Sequence, residues 1–227
     1  SEKLQQTAQY IGRSDQSIKI IPMDISGKSG ITSFTSFLQK ELTAANNDIA
    51  IGTLVNNAGF GTYGEFMNTS LDRQLEMIEL NCLTLTGLCY ACIPFMTKNS
   101  VIINIASLAS FIPLGNFAVY GATKAYVLSF SIALAAEVAD KGIFVESVCP
   151  GPVDTDFALV ASNGARQKVV DGKNAASVVR HTFACITGKK RLAVMAPKWK
   201  FKAFMSRFVG RYWFARWTFV HEKRPSK

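Results

Sequence analysis

Tyr120 and Lys124 stand four residues apart in the run VYGATKAYVL, and Ser107 precedes the tyrosine with twelve residues between them. On a helix, positions i and i+4 share a face, so the phenol and the ammonium can reach one site. A phenol has an ordinary pKa of about 10, too high for ready proton exchange near neutrality, and a neighbouring cation is expected to lower it. Hydride delivered to a carbonyl carbon leaves an oxyanion that needs a proton, and a tyrosine so placed can supply it. The Ser107 hydroxyl can hold the same oxygen in place. Taken alone, Tyr-x-x-x-Lys reads first as an exposed i,i+4 pair, so its neighbours must decide.

Those neighbours sit at the ends of apolar runs. Residues 49–55 read as a buried strand stopped by Asn56-Asn57-Ala58-Gly59, and residues 100–106 as a second strand ending at Ser107. Residues 143–149 read as a third, stopped by Pro150-Gly151-Pro152-Val153-Asp154-Thr155. A further short β-rich run at 17–23 closes on Asp24, and residues 191–195 read as a last strand. Between them lie helical patterns over about 2–11, 29–46, 71–96, 117–141 and 175–187; the second of these spaces Ile31, Phe34, Phe37, Leu38 and Leu42 by threes and fours. Alternating helices and continuously apolar strands predict a doubly wound parallel sheet in three layers, α/β/α. Such sheets bind ligands beyond the carboxyl ends of their strands, which singles out Asp24, Asn56 to Gly59, Ser107 and Pro150 to Thr155.

In this arrangement the sequence resembles the classical short-chain dehydrogenase/reductase family over essentially all of residues 1–195, and within it a bacterial-type subgroup resembling long-chain 3-oxoacyl reductases. The family's NNAG is matched at 56–59, and its catalytic asparagine by Asn81 in ELNCLTLTG. Its serine, tyrosine and lysine match Ser107, Tyr120 and Lys124, with the usual Ser-x12-Tyr spacing. Its P-G-x-V-x-T beside the nicotinamide is matched by Pro150, Gly151, Val153 and Thr155, and its aspartate near the adenine by Asp24. The resemblance implies a Rossmann-like fold and NAD or NADP as cofactor, with NADP favoured. It implies catalysis by Asn81, Ser107, Tyr120 and Lys124, and cofactor contacts from Asp24, Ile25, Asn56, Ala58, Gly59, Tyr120, Lys124, Pro150, Gly151, Val153 and Thr155. Lys124 would also hold the nicotinamide ribose, with Asn81 supporting a water chain to it. Asp24 has a second role open to it, as N-cap of the following helix. Asn57 is expected to tie strand ends together. His181 and His221 are expected to be structural, and no metal site is expected.

The family begins with a strand, a Gly-rich turn that seats the pyrophosphate at a helix N-terminus, and a second strand. The given sequence starts after the second strand, so roughly 35–45 further residues, the size of a βαβ unit, are expected before Ser1. In the classical strand order, 17–23 and 49–55 would not be neighbours.

The chain has 227 residues, 48% hydrophobic and 18% charged, which suits one α/β domain with a core needing no disulfides. Five cysteines without framework spacing point to reduced thiols and a cytoplasmic setting; Cys89-x-x-Cys92 lies in an apolar helical run and reads as core packing. The opening residues show no signal peptide, and no run of 18 or more consecutive apolar residues is present. Nine of the 25 Lys and Arg side chains fall in residues 198–227, against Glu222 alone, so the body is nearly neutral and the tail basic.

That tail also holds nine aromatics, with Phe201, Phe204, Phe208 and Tyr212 at helical spacing. An amphipathic helix packed on its own domain or a dimer mate is the first expectation, peripheral contact with an anionic membrane surface the second, and nucleic-acid binding is not expected. The domain division is therefore 1–197 for the Rossmann-like body and 198–227 for the extension. A small-molecule carbonyl or alcohol substrate of lipophilic character is expected, walled by residues 108–118 and covered by a lid over 156–174, in a homodimer or homotetramer. The competing expectation is a non-catalytic scaffold of the same fold that docks through its tail.

Overall fold

The computed structural model describes residues 2–11, 18–45, 49–167, 169 and 171–224. Among these, β1 (Ile51–Asn56), β2 (Met96–Ile105), β3 (Phe144–Val148) and β6 (Leu192–Ala193) form a parallel sheet in the order β1-β2-β3-β6. The register sets Asn56, Asn104 and Ser147 side by side, so the three long strands finish at one level. The loops that follow them therefore open along one edge of the sheet.

Parallel neighbours need crossover connections, and helices supply them. α3 (Leu71–Ile78) and α4 (Leu85–Cys92) lead from β1 to β2, α5 (Ala118–Glu137) from β2 to β3, and α7 (Ala175–Thr187) towards β6. α1 (Glu2–Ile11) and α2 (Gly27–Ala44) precede the sheet. Between β3 and α7, a two-stranded ladder of β4 (Val153–Asp154) and β5 (Lys173–Asn174) closes the loop that carries α6 (Phe157–Ala161). Alternation along the strands divides the core. Ile102 and Val145 pack with Val127 and Leu134 of α5, whereas Ile103 and Val148 pack with Cys185 of α7. Helices thus cover both faces, giving the Rossmann-like three-layer fold.

Several boundaries differ from the sequence pattern. Residues 18–26 form no strand: among the described residues nothing lies beside them to complete a ladder, and β1 is the sheet edge, with Val55 53% exposed. Ser17 lies outside the described residues. The helix expected over 71–96 is interrupted by a π-helical turn, Glu79–Thr84, and ends in a 3-10 turn, Ile93–Phe95, where Pro94 cannot continue the α-helical ladder. Strand β2 consequently starts at Met96, four residues earlier than the apolar run, and absorbs an irregularity at Asn99, whose φ is 74°. The last strand shrinks to Leu192–Ala193.

Helical runs Leu71–Phe95 and Ala118–Glu137 are apolar and long enough to cross a membrane by composition. Both nevertheless carry buried polar side chains, Asn81 and Thr84 in one and Thr123, Lys124 and Ser131 in the other, as helices packed on a sheet do.

Two charged side chains, buried Glu146 and half-buried Arg191, stand apart from this order. Glu146, in the middle of β3, is 0% exposed with neither carboxylate oxygen hydrogen-bonded among the described residues, and burial pushes its pKa up to about 7. Arg191 lies over the Phe144 ring at 5.0 Å, with Nη1 likewise unsatisfied.

Candidate active site

α5 starts just after the β2 loop, which brings Tyr120 and Lys124 to the strand tips one helical turn apart, both buried. The Phe117 ring stacks on Tyr120 at 4.1 Å, Phe157 of α6 tilts against it at 5.4 Å, and Tyr63 meets Phe117 edge-on at 4.7 Å. Burial in this aromatic box raises the Tyr120 pKa above its ordinary 10.0; a hydrogen bond with Ser107 draws it partly back, and Tyr63 adds to the rise. The expected lowering of the phenol by Lys124 is not found. Lys124 Nζ lies 5.8 Å from the Tyr120 ring centre and donates to the Ile105 carbonyl at 2.7 Å. Its own pKa is lowered to about 8 by burial, against smaller upward pulls from Cys82 and Cys149.

Ser107 caps the short turn Leu108–Ser110, its Oγ accepting from Ala109 N at 3.1 Å. Ser110 Oγ then donates to the Lys124 carbonyl at 2.7 Å, which fixes the serine loop to the helix bearing the tyrosine.

Asn81 occupies the π-helical turn and is 2% exposed. Its Nδ2 donates to the Phe60 carbonyl at 2.9 Å and to Thr123 Oγ1 at 3.1 Å, while Phe60 N donates to Oδ1 at 3.2 Å. The extra residue of a π-turn re-aims side chains locally, and here it points the carboxamide at the loop after β1. Gly59 makes the approach possible. A Cβ on it would stand 2.7 Å from Asn81 Oδ1 and 3.6 Å from Lys124 Nζ, so the bare backbone, the carboxamide and the ammonium meet at one point.

On the other side of that loop, Ile25, Val55, Asn56, Asn57, Ala58, Leu80 and Thr84 line a cavity of about 40 Å³. Thr84 Oγ1 donates to the Ile25 carbonyl at 3.0 Å and accepts from Gly27 N at 3.1 Å, which holds Ile25 there. Asn56, not Asn57, ties the strands together: its Nδ2 donates to Asn104 Oδ1 at 2.8 Å and to Cys89 Sγ at 3.3 Å. Asn56 Oδ1 is buried without a partner among the described residues. The Asn57 side chain is exposed. Asp24 is also exposed and does not cap α2; its carboxylate accepts from Ser26 N at 2.9 Å, and Ser26 holds the N-cap position. Cys89 and Cys92 are each 1% exposed, with thiols pushed up to about 12 and about 11 by burial.

After β3, the Pro150 carbonyl accepts from Leu108 N at 2.9 Å, which sets this loop beside Ser107. Trp199 packs directly on Gly151. Val153 enters β4, and Thr155 Oγ1 accepts from Phe157 N at 3.3 Å. The structure thus gathers Gly59, Asn81, Ser107, Tyr120 and Lys124, with Pro150 alongside; Ile25 lines the small cavity on the other side of the loop, and Asp24 next to it in the chain is exposed and does not line it. Tyr63, Thr84 and Thr123 complete the arrangement, yet no residue pattern marked them. Thr123 alone had a usable signal, falling inside the Tyr-to-Lys turn.

The tail reaches the same region. α8 (Pro197–Met205) joins the main core through Trp199, and α9 (Arg211–His221) lies over the loop after β2. Gly115 N donates to Thr218 Oγ1 at 2.9 Å, Asn116 Nδ2 to the Phe219 carbonyl at 3.0 Å, and Arg224 to the Gly115 carbonyl at 2.9 Å. The Arg224 guanidinium stands 5.4 Å from the Phe117 ring that stacks on Tyr120.

A buried tyrosine at the strand tips of a parallel sheet, with a buried lysine one turn away and a serine at the end of the neighbouring strand, lies where doubly wound sheets bind their ligands. The chain belongs to the short-chain dehydrogenase family, which it matches over residues 1–165. It is 31% identical over 184 residues to an uncharacterised oxidoreductase of Staphylococcus aureus strain MW2, covering 80% of this chain and 76% of that protein. Among solved structures it resembles a short-chain dehydrogenase of Sphingobium yanoikuyae in complex with NADPH, with a TM-score of 0.75, 23% identity and coverage of 91% and 80% of the two chains. A short-chain dehydrogenase/reductase of Burkholderia phymatum in complex with NAD gives a TM-score of 0.76 at 17% identity, covering 100% and 84%.

Proposed function

We propose that this protein is an NAD(P)-dependent oxidoreductase that reduces a carbonyl, or oxidises the corresponding secondary alcohol, on a lipophilic or acyl-type substrate. One observation carries the reading: the Tyr120 phenol, hydrogen-bonded to Ser107 in an aromatic box, lies at the strand tips with the Lys124 ammonium 5.8 Å from its ring centre. The residues fit a dinucleotide. Asn56 Oδ1 is an unsatisfied buried acceptor at the cavity by Ile25 and Ala58, and Gly59 leaves the loop bare where Asn81 and Lys124 converge. Asp24, Ile25, Asn56, Ala58 and Gly59 would hold one part of it, and Tyr120, Lys124, Pro150, Gly151, Val153 and Thr155 the other. The nicotinamide supplies the hydride.

The chain's own residues do the rest. Ser107 Oγ orients the substrate oxygen, Tyr120 Oη gives it a proton in reduction and takes one in oxidation, and Lys124 keeps positive charge beside the phenol. Phe111, Ile112, Leu114, Phe157 and Leu159 offer apolar walls, which suits a lipophilic substrate. We assign residues 1–197 to the catalytic body and 198–227 to an extension, and place the protein in the cytoplasm. Exposed Leu71, Leu75, Ile78, Tyr126 and Ile132 on the α3 and α5 runs would join copies into a homodimer or homotetramer.

Tyr120→Phe tests the assignment. Turnover of a carbonyl panel should fall to background while NADPH or NADH binding stays largely intact, since Tyr120 would be one of several cofactor contacts; a fully active Tyr120→Phe variant refutes it.

A further inference from the structure

The tail helices have two unlike faces. The inner face is committed: Trp199 is in the core, Thr218 is 0% exposed, and Arg224 is held by Gly115 and Glu222. The outer face of α9 carries Trp213, Trp217 and Val220 at i, i+4 and i+7. Trp213 is 74% exposed, and these three residues line one apolar concavity with Val209. Directly before Val209, Phe201, Phe204 and Phe208 repeat the pattern at i, i+3 and i+7, and Phe208 is 69% exposed. Burying this much aromatic surface is favourable, and soluble surfaces rarely leave it bare.

Charge selects the occupant. Lys198, Lys200 and Lys202 flank the phenylalanines, Arg216 lines the tryptophan concavity, and Arg207 and Arg211 lie on the turn and helix start between them. The only acid of the tail, Glu222, is paired with Arg224 at 2.6 Å. A second copy would bring the same cluster of cations to the interface and repel. Nucleic acid would meet the cations but leave the indoles without a reason. Aromatic rings interleaved with outward lysines and arginines match the headgroup level of an anionic bilayer, where rings enter the acyl boundary and cations meet lipid phosphate.

We infer that the outward face of α8 and α9, centred on Phe201, Phe204, Phe208, Trp213 and Trp217, docks the protein on an anionic lipid bilayer. Docking would rest on the helix that clamps Gly115 and Asn116, the loop beside Tyr120, so a bilayer-dissolved substrate would be presented next to the site. The surface itself is independent of the catalytic assignment.

The full chain is sedimented with vesicles of phosphatidylcholine alone and with about one third phosphatidylglycerol added. Binding should be at least tenfold stronger to the anionic vesicles and should weaken as salt rises, as order-of-magnitude expectations for a polybasic surface. Trp213→Ala with Trp217→Ala should weaken it by roughly tenfold or more, and Lys200→Gln with Lys202→Gln severalfold, with melting temperature and turnover of a water-soluble substrate unchanged. Tyr120→Phe should bind vesicles as the unaltered chain does, which separates this surface from the chemistry. Absence of vesicle binding overturns the inference, as does equal binding by the tryptophan variant. Concentration-dependent self-association lost in that variant, or duplex DNA outcompeting the vesicles, also overturns it by assigning the face to another occupant.

Discussion

Gly59→Ala is a one-carbon perturbation whose effect can be worked from the geometry. Gly59 does not have a positive φ, so alanine brings no backbone strain and the whole effect is contact. The new Cβ would stand 2.7 Å from Asn81 Oδ1, where ordinary contact begins at 3.4 Å. The carboxamide or the loop must therefore give by roughly 0.7 Å in a region packed as densely as any protein interior. Asn81 cannot withdraw freely, because it is bonded to both the carbonyl and the N–H of Phe60 and to Thr123. Breaking the longest of these, Phe60 N to Oδ1 at 3.2 Å, and straining the others costs about 1–2 kcal/mol. Turnover should suffer more. Lys124 Nζ lies 3.6 Å from the same Cβ position, and displacements near 1 Å in a catalytic array cost on the order of 10²-fold. The assay is kcat/KM on a reducible carbonyl together with urea midpoints, using Gly52→Ala as control, since a Cβ at 52 meets nothing within 4 Å. A Gly59→Ala protein indistinguishable from the control in both measurements would refute the role given to Asn81 and its loop.

Glu146 gives a stability prediction. Its folded pKa, about 7, lies above the unfolded value of 4.5, so its contribution is fully present below pH 4.5 and is lost as pH rises through 7. Glu146→Gln should match the unaltered protein at the acid end and exceed it by about 2–3 kcal/mol at pH 8, read from urea midpoints; parallel pH dependences would contradict this. Lys124 gives a kinetic one: with its pKa at about 8, the ammonium is lost as pH rises through that value, while the Cys82 and Cys149 thiols, at about 11 and about 12, stay protonated. Carbonyl reduction should therefore show a falling limb of kcat/KM near pH 8, and a flat profile through that region would exclude a need for the charge.

What could be read in the sequence was local or periodic. Helix 175–187 and the C-terminal limits of β1, β2 and β3 follow from apolar runs and the Asn, Ser and Pro-Gly residues that end them, and those limits fix the candidate site. Residues 17–23 misled because a β-rich run says nothing of the neighbour a strand must pair with. The π-turn at 79–84 was invisible because its hydrophobic spacing is that of an α-helix, yet it aims Asn81. The Tyr63, Phe117 and Phe157 box joins residues from three separate segments, and no one-dimensional spacing encodes such a contact. The tail was legible as amphipathic, whereas its break into two helices at Gly210 and its bonds to Gly115 were not.

The mistaken expectation about the phenol shows which effect governs this site. A cation about 6 Å away at an effective dielectric of about 20 is worth roughly 3 kcal/mol, or about 2 pKa units of lowering. Full burial of an ionisable group can shift it by about 3–5 units the other way, so desolvation wins even when the cation is credited in full. The same burial also weakens the cation, since Lys124 is itself drawn down to about 8. The two groups are thus driven apart: Tyr120 keeps its proton firmly and Lys124 holds its own only up to mildly basic pH. Ser107 provides the counterweight, because its hydrogen bond acts on the phenol directly and favours the charged form. Near neutrality the pair therefore stands as phenol and ammonium; in the proposed mechanism this is the state from which Tyr120 would give a proton to an oxyanion, and the serine and the lysine would have to stabilise the phenolate that remains.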